Sequence, residues 1–524
     1  MKGSRTTGTG SSKAQVHREL PSPVAGLGGV VMAAGLGTRM RSQQAKVLHQ
    51  VAGQAMVLYA VRLGLRVAGD RVAVVVGHQG NRVRQVVDSA TTEGQGQSRV
   101  SIVEQRKQLG TGHAVLQSRP VFAVGKREAP SWYLILNGDA PLLREATLRE
   151  LLRVHEVERA TVTILTAVLK DAEGYGRVVR ARSAGNHVSR IVEDRDATIE
   201  EQSIREINVG TYVVDGAFLF DALEKLEPSN AQGEYYLTDI IRLAVAQGRR
   251  VAAVVLDNPD EGLGVNTRQQ LAEAERVIRR QIRDRWLEAG VTMVDPESTW
   301  IDAGVTIGKD TVLHPCVTLE GTTALGEDCR IRSHTRLSDC TVGNRVEVLD
   351  HCVLRESSIE DEAVVGPFAH LRPGVVVRKN AKVGNFVEMK KTDLGEGSKA
   401  NHLSYLGDAT IGKGVNIGAG TITCNYDGIR KSQTVIGDHV FLGSDTQLIA
   451  PVTVGAGAII AAGTTVTEDV PADALAIGRV PQVNRAGWAA KRRMLATEPS
   501  QGKRAKSSES AKQSAKNRSN KQRS

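Results

Sequence analysis

The feature that most constrains this chain is a six-residue period of aliphatic residues across positions 305–470. Six residues turn an α-helix through about 600°, so this period cannot stay on one helix face. Three short sides that close a coil of about 18 residues place every aliphatic residue inward. The period therefore predicts a parallel β-helix of the hexapeptide type, with roughly nine coils and a height near 45 Å at about 4.8 Å per coil. The periodic residues are Ile307, Leu313, Leu319, Leu325, Ile331 and Leu337, then Val365, Leu371, Val377, Val383 and Met389, then Ile436, Leu442, Leu448, Val454, Ile460 and Val466.

Glycine follows many of these residues, and we expect it to adopt the turn conformation that other residues resist. Steps of five at Leu354, Met389 and Leu406 shift the period, and the stretch 423–434 interrupts it. We predict that a loop leaves the column there, carrying Asn425-Tyr-Asp-Gly428. A solenoid alone can be a scaffold or an enzyme, so the repeat does not decide function. The glycines are Gly308, Gly326, Gly366, Gly384, Gly437, Gly443 and Gly455.

The first half of the chain alternates strand-like and helical patterns, which predicts a mostly parallel, Rossmann-like α/β sheet covered by helices. Strands are predicted at 29–34, 71–76 and 131–136. Apolar residues at spacings of three and four predict an amphipathic helix over 267–289, which Gly290 ends. The predicted segments are a disordered extension at 1–23, an α/β domain at 24–266, a linker helix at 267–290, a β-helix domain at 291–490 and a basic disordered tail at 491–524.

The net charge of +10 is concentrated at the ends of the chain. Residues 491–524 hold 11 basic and 2 acidic residues, and residues 1–20 hold 4 and 1. The remaining 53 basic and 55 acidic residues make a near-neutral body, which argues against a nucleic-acid-binding domain. Transient contact of the tail with RNA or an anionic surface remains an alternative to simple solvation.

Five sparse cysteines fit neither a disulfide framework nor a zinc motif, and no apolar run is long enough for a membrane span. The N-terminus also lacks the apolar core of a signal peptide. Free thiols in a reducing cytoplasm are therefore the predicted state.

The loop Gly35-Leu-Gly-Thr-Arg39 follows the first predicted strand and is a candidate phosphate site. Its glycines let backbone N–H groups approach an anion at the start of a helix, whose dipole favours negative charge. Lys46 adds a second cation beside Arg39. Taken alone, the loop fits a plain strand-to-helix turn equally well, and Asp139 fits either a turn or a Mg²⁺ ligand.

The segment Met32-Ala-Ala-Gly-Leu-Gly-Thr-Arg-Met40, with Lys46, resembles the signature of sugar-1-phosphate nucleotidyltransferases. Together with the hexapeptide half, the resemblance spans about residues 27–490. It is to the bacterial bifunctional N-acetylglucosamine-1-phosphate uridyltransferase/glucosamine-1-phosphate N-acetyltransferase family. The further nucleotidyltransferase motifs, in the expected order, are Gln108–Ala114, Gly174–Arg177, Ile207-Asn208, Gly233–Tyr236 and Gly264–Asn266.

The resemblance implies a first site that transfers UMP from UTP to N-acetylglucosamine 1-phosphate and releases pyrophosphate. It implies that Arg39, also predicted to be catalytic, and Lys46 bind phosphates, and that Asp139 and Asn266 ligate Mg²⁺, the expected cofactor. The residues implied to bind the nucleotide or the sugar are Ala33, Ala34, Gly35, Gly37, Gln105, Gly110, Thr111, Gly176, Glu193, Asn208 and Asn266. Among them, Gln105, Gly110 and Thr111 would read the uracil, and Gly176, Glu193 and Asn208 would hold the sugar. Asn137, Ala45 and Arg195 depart from the family pattern and bear on the fine geometry of the sugar pocket.

The resemblance also implies a second site, in the β-helix, that acetylates glucosamine 1-phosphate with acetyl-coenzyme A. A solitary His on a β-helix is usually inert, but the family pattern makes His402 the general base, with Glu388 orienting its imidazole. Arg372, Lys390, Tyr405, Asn416 and Asn425 would bind the sugar phosphate. The implied acetyl-coenzyme A groove is lined by Ala419, Asn425, Tyr426, Ser444, Ala462 and Arg479. Lys390 and His402 are predicted on different faces of one prism, so a homotrimer with shared grooves is expected.

Two rival interpretations stay open at the sequence level. One is a single-activity sugar-1-phosphate nucleotidyltransferase whose β-helix is structural or regulatory. The other is a nucleic-acid-associated scaffold that acts through its basic tail. The retained His402, Lys390, Arg372 and Tyr405 argue against the first, and the near-neutral body argues against the second.

Overall fold

The computed structural model describes residues 23–93, 97–123, 128–181 and 187–497. These residues form an α/β domain, a long linking helix and a parallel β-helix. The predicted tails lie mostly outside the described residues. Of the extension at 1–23 only Pro23 is described, and residues 491–497 of the basic tail belong to a helix over Trp488–Thr497.

The α/β domain contains 13 strands and eight α-helices among its described residues. The strands are β1 (Leu27–Ala33), β2 (Gln50–Val51), β3 (Gln54–Ala55), β4 (Val72–Val76), β5 (Thr92–Glu93), β6 (Gln97–Ser98), β7 (Val100–Glu104), β8 (Trp132–Asn137), β9 (Val162–Val168), β10 (Arg177–Arg180), β11 (Val188–Val192), β12 (Glu206–Asp215) and β13 (Val251–Val255). The helices are α1 (Met56–Ala68), α2 (Gly80–Thr91), α3 (Thr111–Leu116), α4 (Arg119–Ala123), α5 (Glu145–Val157), α6 (Ile199–Gln202), α7 (Gly216–Leu223) and α8 (Asp239–Ala246).

Nine of these strands form one mixed sheet in the order β11-β10-β12-β8-β1-β4-β7, with β9 beside β12 and β13 beside β9. Strands β7, β4, β1 and β8 are parallel, as predicted. The prediction of a mostly parallel sheet is wrong beyond this centre. There β12 runs antiparallel to β8, β9 and β10, whereas β13 is parallel to its partner β9. Strands β10 and β11 are also antiparallel, because only seven residues join them, fewer than the dozen or so that a parallel crossover requires.

The parallel centre brings four chain turns to one edge of the sheet. Ala33 pairs with Val76, Val76 pairs with Glu104, and Met32 pairs with Asn137, so the four strands end at nearly the same level. The residues that follow these carboxyl ends therefore lie side by side, at the edge where open α/β sheets bind ligands.

The linking helix α9 (Arg268–Glu288) forms where the 3.6-residue apolar pattern predicts it. It begins at a capping box in which the Thr267 hydroxyl accepts from the Gln270 N–H and the Gln270 side chain accepts from the Thr267 N–H. Gly290, with φ of 91°, follows its end. All five residues of the predicted apolar stripe pack against the same core as the β-helix: Leu271, Ala274, Ile278, Ile282 and Trp286.

Helix α9 also joins the β2–β3 hairpin of the α/β domain to the first coil of the β-helix. The Glu275 carboxylate accepts the Ala52 N–H at 2.6 Å, and the Ala303 N–H donates to the Ala52 carbonyl at 2.9 Å. Val51, Ala52 and Met56 belong to the same buried cluster as the β-helix interior. The two halves therefore share one continuous apolar core.

The β-helix has three walls of short parallel strands. The first wall contains 11 strands: Thr292–Met293, Val312–Leu313, Arg330–Ile331, Glu347–Val348, Val364–Val365, Lys382–Asn385, Lys399–His402, Asn416–Ile417, Phe441–Leu442, Ile459–Ile460 and Leu475–Ala476. It begins before residue 305, so the column has more coils than predicted.

The other two walls form one 17-stranded sheet. The long strands Glu388–Leu394 and Tyr405–Ile411 pass around the corner between these walls and join them. The second wall also holds Trp300–Ile301, Thr318–Glu320, Arg336–Ser338, Val353–Arg355, His370–Leu371, Ile422–Cys424, Gln447–Ile449 and Thr465–Val466. The third wall also holds Thr306–Ile307, Ala324–Leu325, Thr341–Val342, Ser358–Ile359, Val376–Val377, Thr434–Ile436 and Val452–Val454.

The register confirms the period read from the sequence. Val312 pairs with Arg330 after 18 residues, and Arg330 pairs with Glu347 after 17, which is a coil that contains one step of five. One coil is longer, because Asn416 pairs with Phe441 after 25 residues. That coil contains the interruption at 423–434, and residues 425–433 leave the column as the predicted loop.

The predicted role of the glycines that follow the aliphatic residues is wrong except at Gly366. Of the seven, Gly366 alone has a positive φ, at 108°. At Gly308 a Cβ would lie 2.5 Å from the carbonyl carbon of Gly326 in the next coil, so glycine is required for close approach of the coils. Left-handed corners are instead occupied by residues such as Asp328 and Asn380, since Asp and Asn tolerate this conformation.

An exposed ladder of rings follows the corner between the first and second walls. His334, His351, Phe368 and Phe386 occupy this corner in successive coils and stack with centroid separations of 4.9, 4.9 and 5.2 Å. Leu403, 62% exposed, occupies the same corner one coil further on. We call these five residues the corner ladder.

Candidate active sites

The loop after β1 lines a cavity of about 360 Å³ at the carboxyl edge of the sheet. Gly37 has φ of 64°, and a Cβ there would lie 2.5 Å from the Cβ of Lys46, so no larger residue fits. The predicted helix start is wrong, because the loop leads only into a 3-10 turn over Thr38–Met40. Backbone N–H groups and cations, without an α-helix dipole, are thus available to an anion here. Predicted residues that line the cavity are Ala33, Ala34, Gly35, Lys46, Gln105, Gly110, Thr111 and Asp139.

The two cations and the two predicted metal ligands form one cluster. Lys46 Nζ donates to Asp139 Oδ2 and, at 2.9 Å, to Asn266 Oδ1. The Arg39 guanidinium donates to the same Asn266 oxygen at 2.9 Å. A carboxylate and an amide oxygen therefore converge on a single positive charge, and such hard oxygen donors suit Mg²⁺. No group of three or more His, Cys, Asp or Glu side chains arranged to hold a metal occurs in the described ranges, so further metal ligands would have to come from phosphate oxygens or water.

The residues predicted to contact uracil lie together at the end of β7. The Gln105 side chain is buried, donates to the Gly110 carbonyl at 3.1 Å and contacts His113 Nδ1 at 2.9 Å. Gly110 has φ of 108°, and a Cβ there would lie 2.6 Å from the Tyr235 carbonyl. The Thr111 hydroxyl accepts the Leu237 N–H at 3.0 Å. The turn at 110–111 is thereby fixed against the 234–237 segment.

The three residues predicted to hold the sugar are also brought together. The Asn208 N–H donates to the Gly176 carbonyl at 2.8 Å, and a Cβ at Gly176 would lie 3.4 Å from Glu193 Oε2. The Thr238 hydroxyl donates to the Glu193 carboxylate at 3.1 Å, and burial raises the pKa of Glu193.

The three departures from the family pattern have local contacts. The Ala45 N–H donates to Gln79 Oε1 at 3.2 Å, a bond that proline could not make. The Asn137 amide donates to the Val209 carbonyl at 3.2 Å. Arg195 donates to Gln232 Oε1 at 3.4 Å.

The predicted base of the second site, His402, ends a first-wall strand at the corner ladder. Its Nδ1 contacts Asn385 Oδ1 at 2.7 Å, one coil below. Glu388, predicted to orient the imidazole, instead accepts from the Arg372 guanidinium at 2.9 Å. The His402 imidazole therefore has the Asn385 amide as its partner, and the Glu388 carboxylate is paired with Arg372.

Three of the five residues predicted to bind the sugar phosphate belong to the second wall: Lys390 and Tyr405 lie on its long strands, and Arg372 directly follows the strand His370–Leu371. Lys390 pairs in register with Gly407, and the Lys431 ammonium beside it lowers the pKa of Lys390. A Cβ at Gly407 would lie 2.6 Å from Tyr405 Oη and 2.8 Å from Asn425 Nδ2, so these side chains meet over a bare stretch of backbone. Asn416 lies in the first wall, paired with Lys399, and no described contact joins it to this group.

Three of the six residues predicted to bind acetyl-coenzyme A fall on one line along the column. Ile417, Leu442 and Ile460 are register partners, so the residues two places later, Ala419, Ser444 and Ala462, follow one another coil by coil. His402 is one coil below Ala419 on the same line, since Ala400 pairs with Ile417. Arg479 donates to the Ala462 carbonyl, and Tyr426 projects from the loop with its hydroxyl donating to the Gly428 carbonyl at 2.6 Å.

Comparison with known proteins accounts for both halves. The nucleotidyl transferase family matches residues 28–306, and the bacterial transferase hexapeptide family matches residues 433–468. The protein named Bifunctional protein GlmU from Pelobacter propionicus is 49% identical over 459 residues, covering 88% of this chain and 97% of its own length. Those of Trichlorobacter lovleyi and Geobacter sulfurreducens are 49% and 46% identical, covering 88% and 89% of this chain and 98% and 99% of their own. This chain belongs to the GlmU family.

Membership of the GlmU family confirms that the chain is a bifunctional enzyme with a nucleotidyltransferase half and a hexapeptide transferase half. The shared length also argues against the single-activity rival. No helix within the described ranges has the length and apolarity of a membrane span.

Sequence reasoning missed several residues of this GlmU-family chain that the structure adds to the two sites. Asn385 precedes His402 by 17 residues, one coil, and the coil period could have identified it. Glu234 lines the nucleotide cavity and lies within a motif already quoted. Lys431 lies in the loop that interrupts the period, where no regular spacing points to it.

Proposed function

We propose that this chain makes UDP-N-acetylglucosamine in two steps, first acetylating glucosamine 1-phosphate and then transferring UMP from UTP to the product. The observation that supports the proposal is that one chain contains both the cluster of Arg39, Lys46, Asp139 and Asn266 and the β-helix surface around His402. Its matched GlmU relatives share 97–99% of their length with it. The four substrates are small molecules that carry phosphate or thioester groups.

In the acetyl transfer, the 2-amino nitrogen of the sugar attacks the thioester carbonyl of acetyl-coenzyme A. His402 takes the proton that the amine loses as the new C–N bond forms. The C–S bond then breaks and the thiolate leaves, taking back a proton. Arg372, Lys390 and Lys431 would bind the sugar phosphate, because Lys431 of the loop and Arg372 both lie close enough to Lys390 to lower its pKa.

In the uridylyl transfer, a sugar-phosphate oxygen attacks the α-phosphorus of UTP and pyrophosphate leaves. Arg39 and Lys46 stabilise the negative charge that builds on the leaving phosphates. Enzymes of this kind need a divalent metal. We propose Mg²⁺, held by Asp139 and Asn266, which would neutralise phosphate charge. Gln105 and the turn at 110–111 would read uracil, while Glu193 and Asn208 would hold the sugar.

Hexapeptide repeats and the family favour an oligomer, and we propose a homotrimer. The corner ladder supports this proposal, because its exposed rings and Leu403 would gain from burial against a neighbouring column. His402 stands beside this corner, so packing there would enclose the acetyl-transfer site. We also propose a cytoplasmic location, supported by five cysteines that are all unpaired.

Two substitutions in the full-length protein, each expected to remove one activity and spare the other, test the two-site proposal. His402→Ala should lower the rate of acetyl transfer by roughly 10²–10⁴-fold and leave uridylyl transfer unchanged. The release of the coenzyme A thiol measures the rate of acetyl transfer. Asp139→Ala should abolish pyrophosphate release and leave acetyl transfer unchanged. Acetyl transfer that stays within tenfold of wild type in His402→Ala would contradict the role of His402 as the base, and absence of acetyl transfer in the wild-type protein would favour the single-activity rival. Loss of both activities in either folded variant would contradict independent sites.

A further inference from the structure

The surroundings of His402 show a contact that the resemblance does not supply. Strand Lys399–His402 pairs with strand Lys382–Asn385 so that His402 and Asn385 face each other across adjacent coils. The imidazole Nδ1 and the Asn385 Oδ1 are 2.7 Å apart, and Asn385 is the one hydrogen-bond partner of the ring within the described part of the chain. Glu388 is held by Arg372.

We propose that Asn385 is the positioning residue that sets His402 for proton abstraction. This inference rests on the proposed role of His402 as the acetyl-transfer base. An amide oxygen can only accept a hydrogen bond, so the contact places the ring proton on Nδ1 and leaves the Nε2 lone pair exposed. That lone pair is what the amine proton of the sugar requires.

A neutral partner suits this task better than a carboxylate. A negative charge beside the ring would stabilise the imidazolium and so oppose its return to the free base that the reaction needs. The Asn385 amide fixes the tautomer and ring orientation without that cost. Glu388 is not free to replace it, since its charge is balanced by Arg372 at 2.9 Å.

The backbone holds this geometry rigidly. The Leu403 N–H donates to the Asn385 carbonyl at 3.0 Å. A Cβ at Gly384 would lie 1.9 Å from the Asn401 carbonyl oxygen, so the two strands are in close contact just before the pair. The separation of Asn385 from His402 is therefore set by strand register.

The pH dependence of acetyl transfer can report this role, provided that the other charges near the ring stay constant. The strand of His402 carries one other titratable group, Lys399, and the strand paired with it carries Lys382. The two long strands of the neighbouring wall carry Glu388, Lys390, Lys391, Asp393, Tyr405 and Asp408. Variants at Asn385 leave all eight in place.

The test measures kcat and KM for acetyl transfer against pH in the full-length protein. Asn385→Ala should lower kcat by about 10–100-fold, the usual cost of removing a group that orients a functional imidazole, with both KM values within about twofold. Asn385→Asp keeps the shape and adds a charge, so it should move the acid limb of the profile upward by about one pH unit. Uridylyl transfer should not change in either variant.

Asn401→Ala, on the same strand as His402, is the matched control and should behave as wild type. An Asn385→Ala variant with wild-type kcat and pH profile would overturn the inference while the His402→Ala result still supports the proposed function. An acid limb that moves downward in Glu388→Gln and not upward in Asn385→Asp would assign the positioning role to Glu388. Wild-type acetyl transfer in His402→Ala would instead overturn the role of His402 as the base, and with it this inference, while absence of acetyl transfer in the wild-type protein would overturn the proposed function itself.

Discussion

At the scale of single residues, Asn266 shows how contacts set the first site. Its side-chain oxygen accepts from both Arg39 and Lys46 at 2.9 Å. Those cations would otherwise repel each other, and the shared oxygen keeps them close. A triphosphate entering this cluster meets two charges already oriented toward the carboxyl edge of the sheet, which lowers the reorganisation that the reaction needs.

Glu193 is the residue for which function and stability oppose each other. Burial raises the pKa of its carboxyl, and the Thr238 hydroxyl opposes part of that shift. Its charged form therefore destabilises the fold, and the cost appears as the pH rises through the unfolded pKa and is complete above the folded pKa. We expect Glu193→Gln to raise the thermal unfolding midpoint at pH 7–8 and to have little effect below pH 4.

The same substitution should weaken binding of the sugar phosphate. We expect a rise of about tenfold in its KM for uridylyl transfer, equivalent to about 1.4 kcal/mol, with acetyl transfer unchanged. Glu234 lines the neighbouring nucleotide cavity, so Glu234→Gln is the control for losing a negative charge nearby. It should not raise the KM for the sugar phosphate as Glu193→Gln does. A lower unfolding midpoint at pH 8 in Glu193→Gln would show that the carboxylate stabilises the fold, contrary to this account.

At the scale of elements, the first turn of α9 connects the linking helix to the metal-ligand candidate. Gln270 Oε1 accepts the Asn266 N–H at 2.7 Å and the Thr267 N–H at 3.1 Å. One side chain therefore caps the helix and fixes the backbone of the residue that faces Lys46. The start of the linking helix is thus part of the scaffold of the uridylyl site.

Gln270→Ala should accordingly lower kcat/KM for uridylyl transfer by about tenfold and destabilise the protein by about 1 kcal/mol, the usual value of such a cap. Gln270→Glu keeps the acceptor oxygens and should restore most of the loss. The adjacent Gln269→Ala, on the exposed side of the helix, serves as the control. Equal activity in Gln270→Ala and Gln269→Ala would contradict the connection.

Helices and strands whose apolar residues recur at a regular spacing were predictable from the sequence. The contacts that these elements make were harder to predict. The apolar stripe from Leu271 to Trp286 predicted α9, and the steps of six predicted the walls, because burial imposes those spacings. The glycine role was misassigned, since sequence does not distinguish a residue that needs positive φ from one that needs close approach, as at Gly308. The antiparallel β10–β12 segment carries no comparable signal.

The candidate sites divide in the same way. The residues of the first cluster could be named from motifs, because Asp139 closely follows β8 and Lys46 lies in the segment that connects β1 to β2. The partner of His402 could not, since motif resemblance pointed to Glu388 and only strand register reveals Asn385. Lys431 comes from an irregular loop, where spacing carries no information.

At the scale of the whole molecule, association of chains is the main untested expectation. Light scattering should give a particle of about 169 kDa, three times the chain mass of 56.2 kDa. Phe368→Glu combined with Phe386→Glu should reduce that mass toward the monomer and lower acetyl transfer, because repelling charges would occupy the corner ladder. Uridylyl transfer, which we assign to the α/β domain, should persist.

A control variant with two glutamates elsewhere on the column tests whether the loss of association and of acetyl transfer depends on the corner ladder. Ser358→Glu together with Val376→Glu adds the same charge to the third wall, away from the ladder. That variant should stay trimeric and active. A monomeric wild type with full acetyl transfer would exclude a shared groove.

The line that contains His402, Ala419, Ser444 and Ala462 makes the column a molecular ruler. Each coil adds one step of about 4.8 Å, so the base and the last of these residues stand three steps, roughly 14 Å, apart. The distance that an acyl donor must span along the column, from Ala462 to His402, is therefore a whole number of coils. Insertion or excision of a single repeat between residues 402 and 462 would change that distance by one unit and would select donors of a different length.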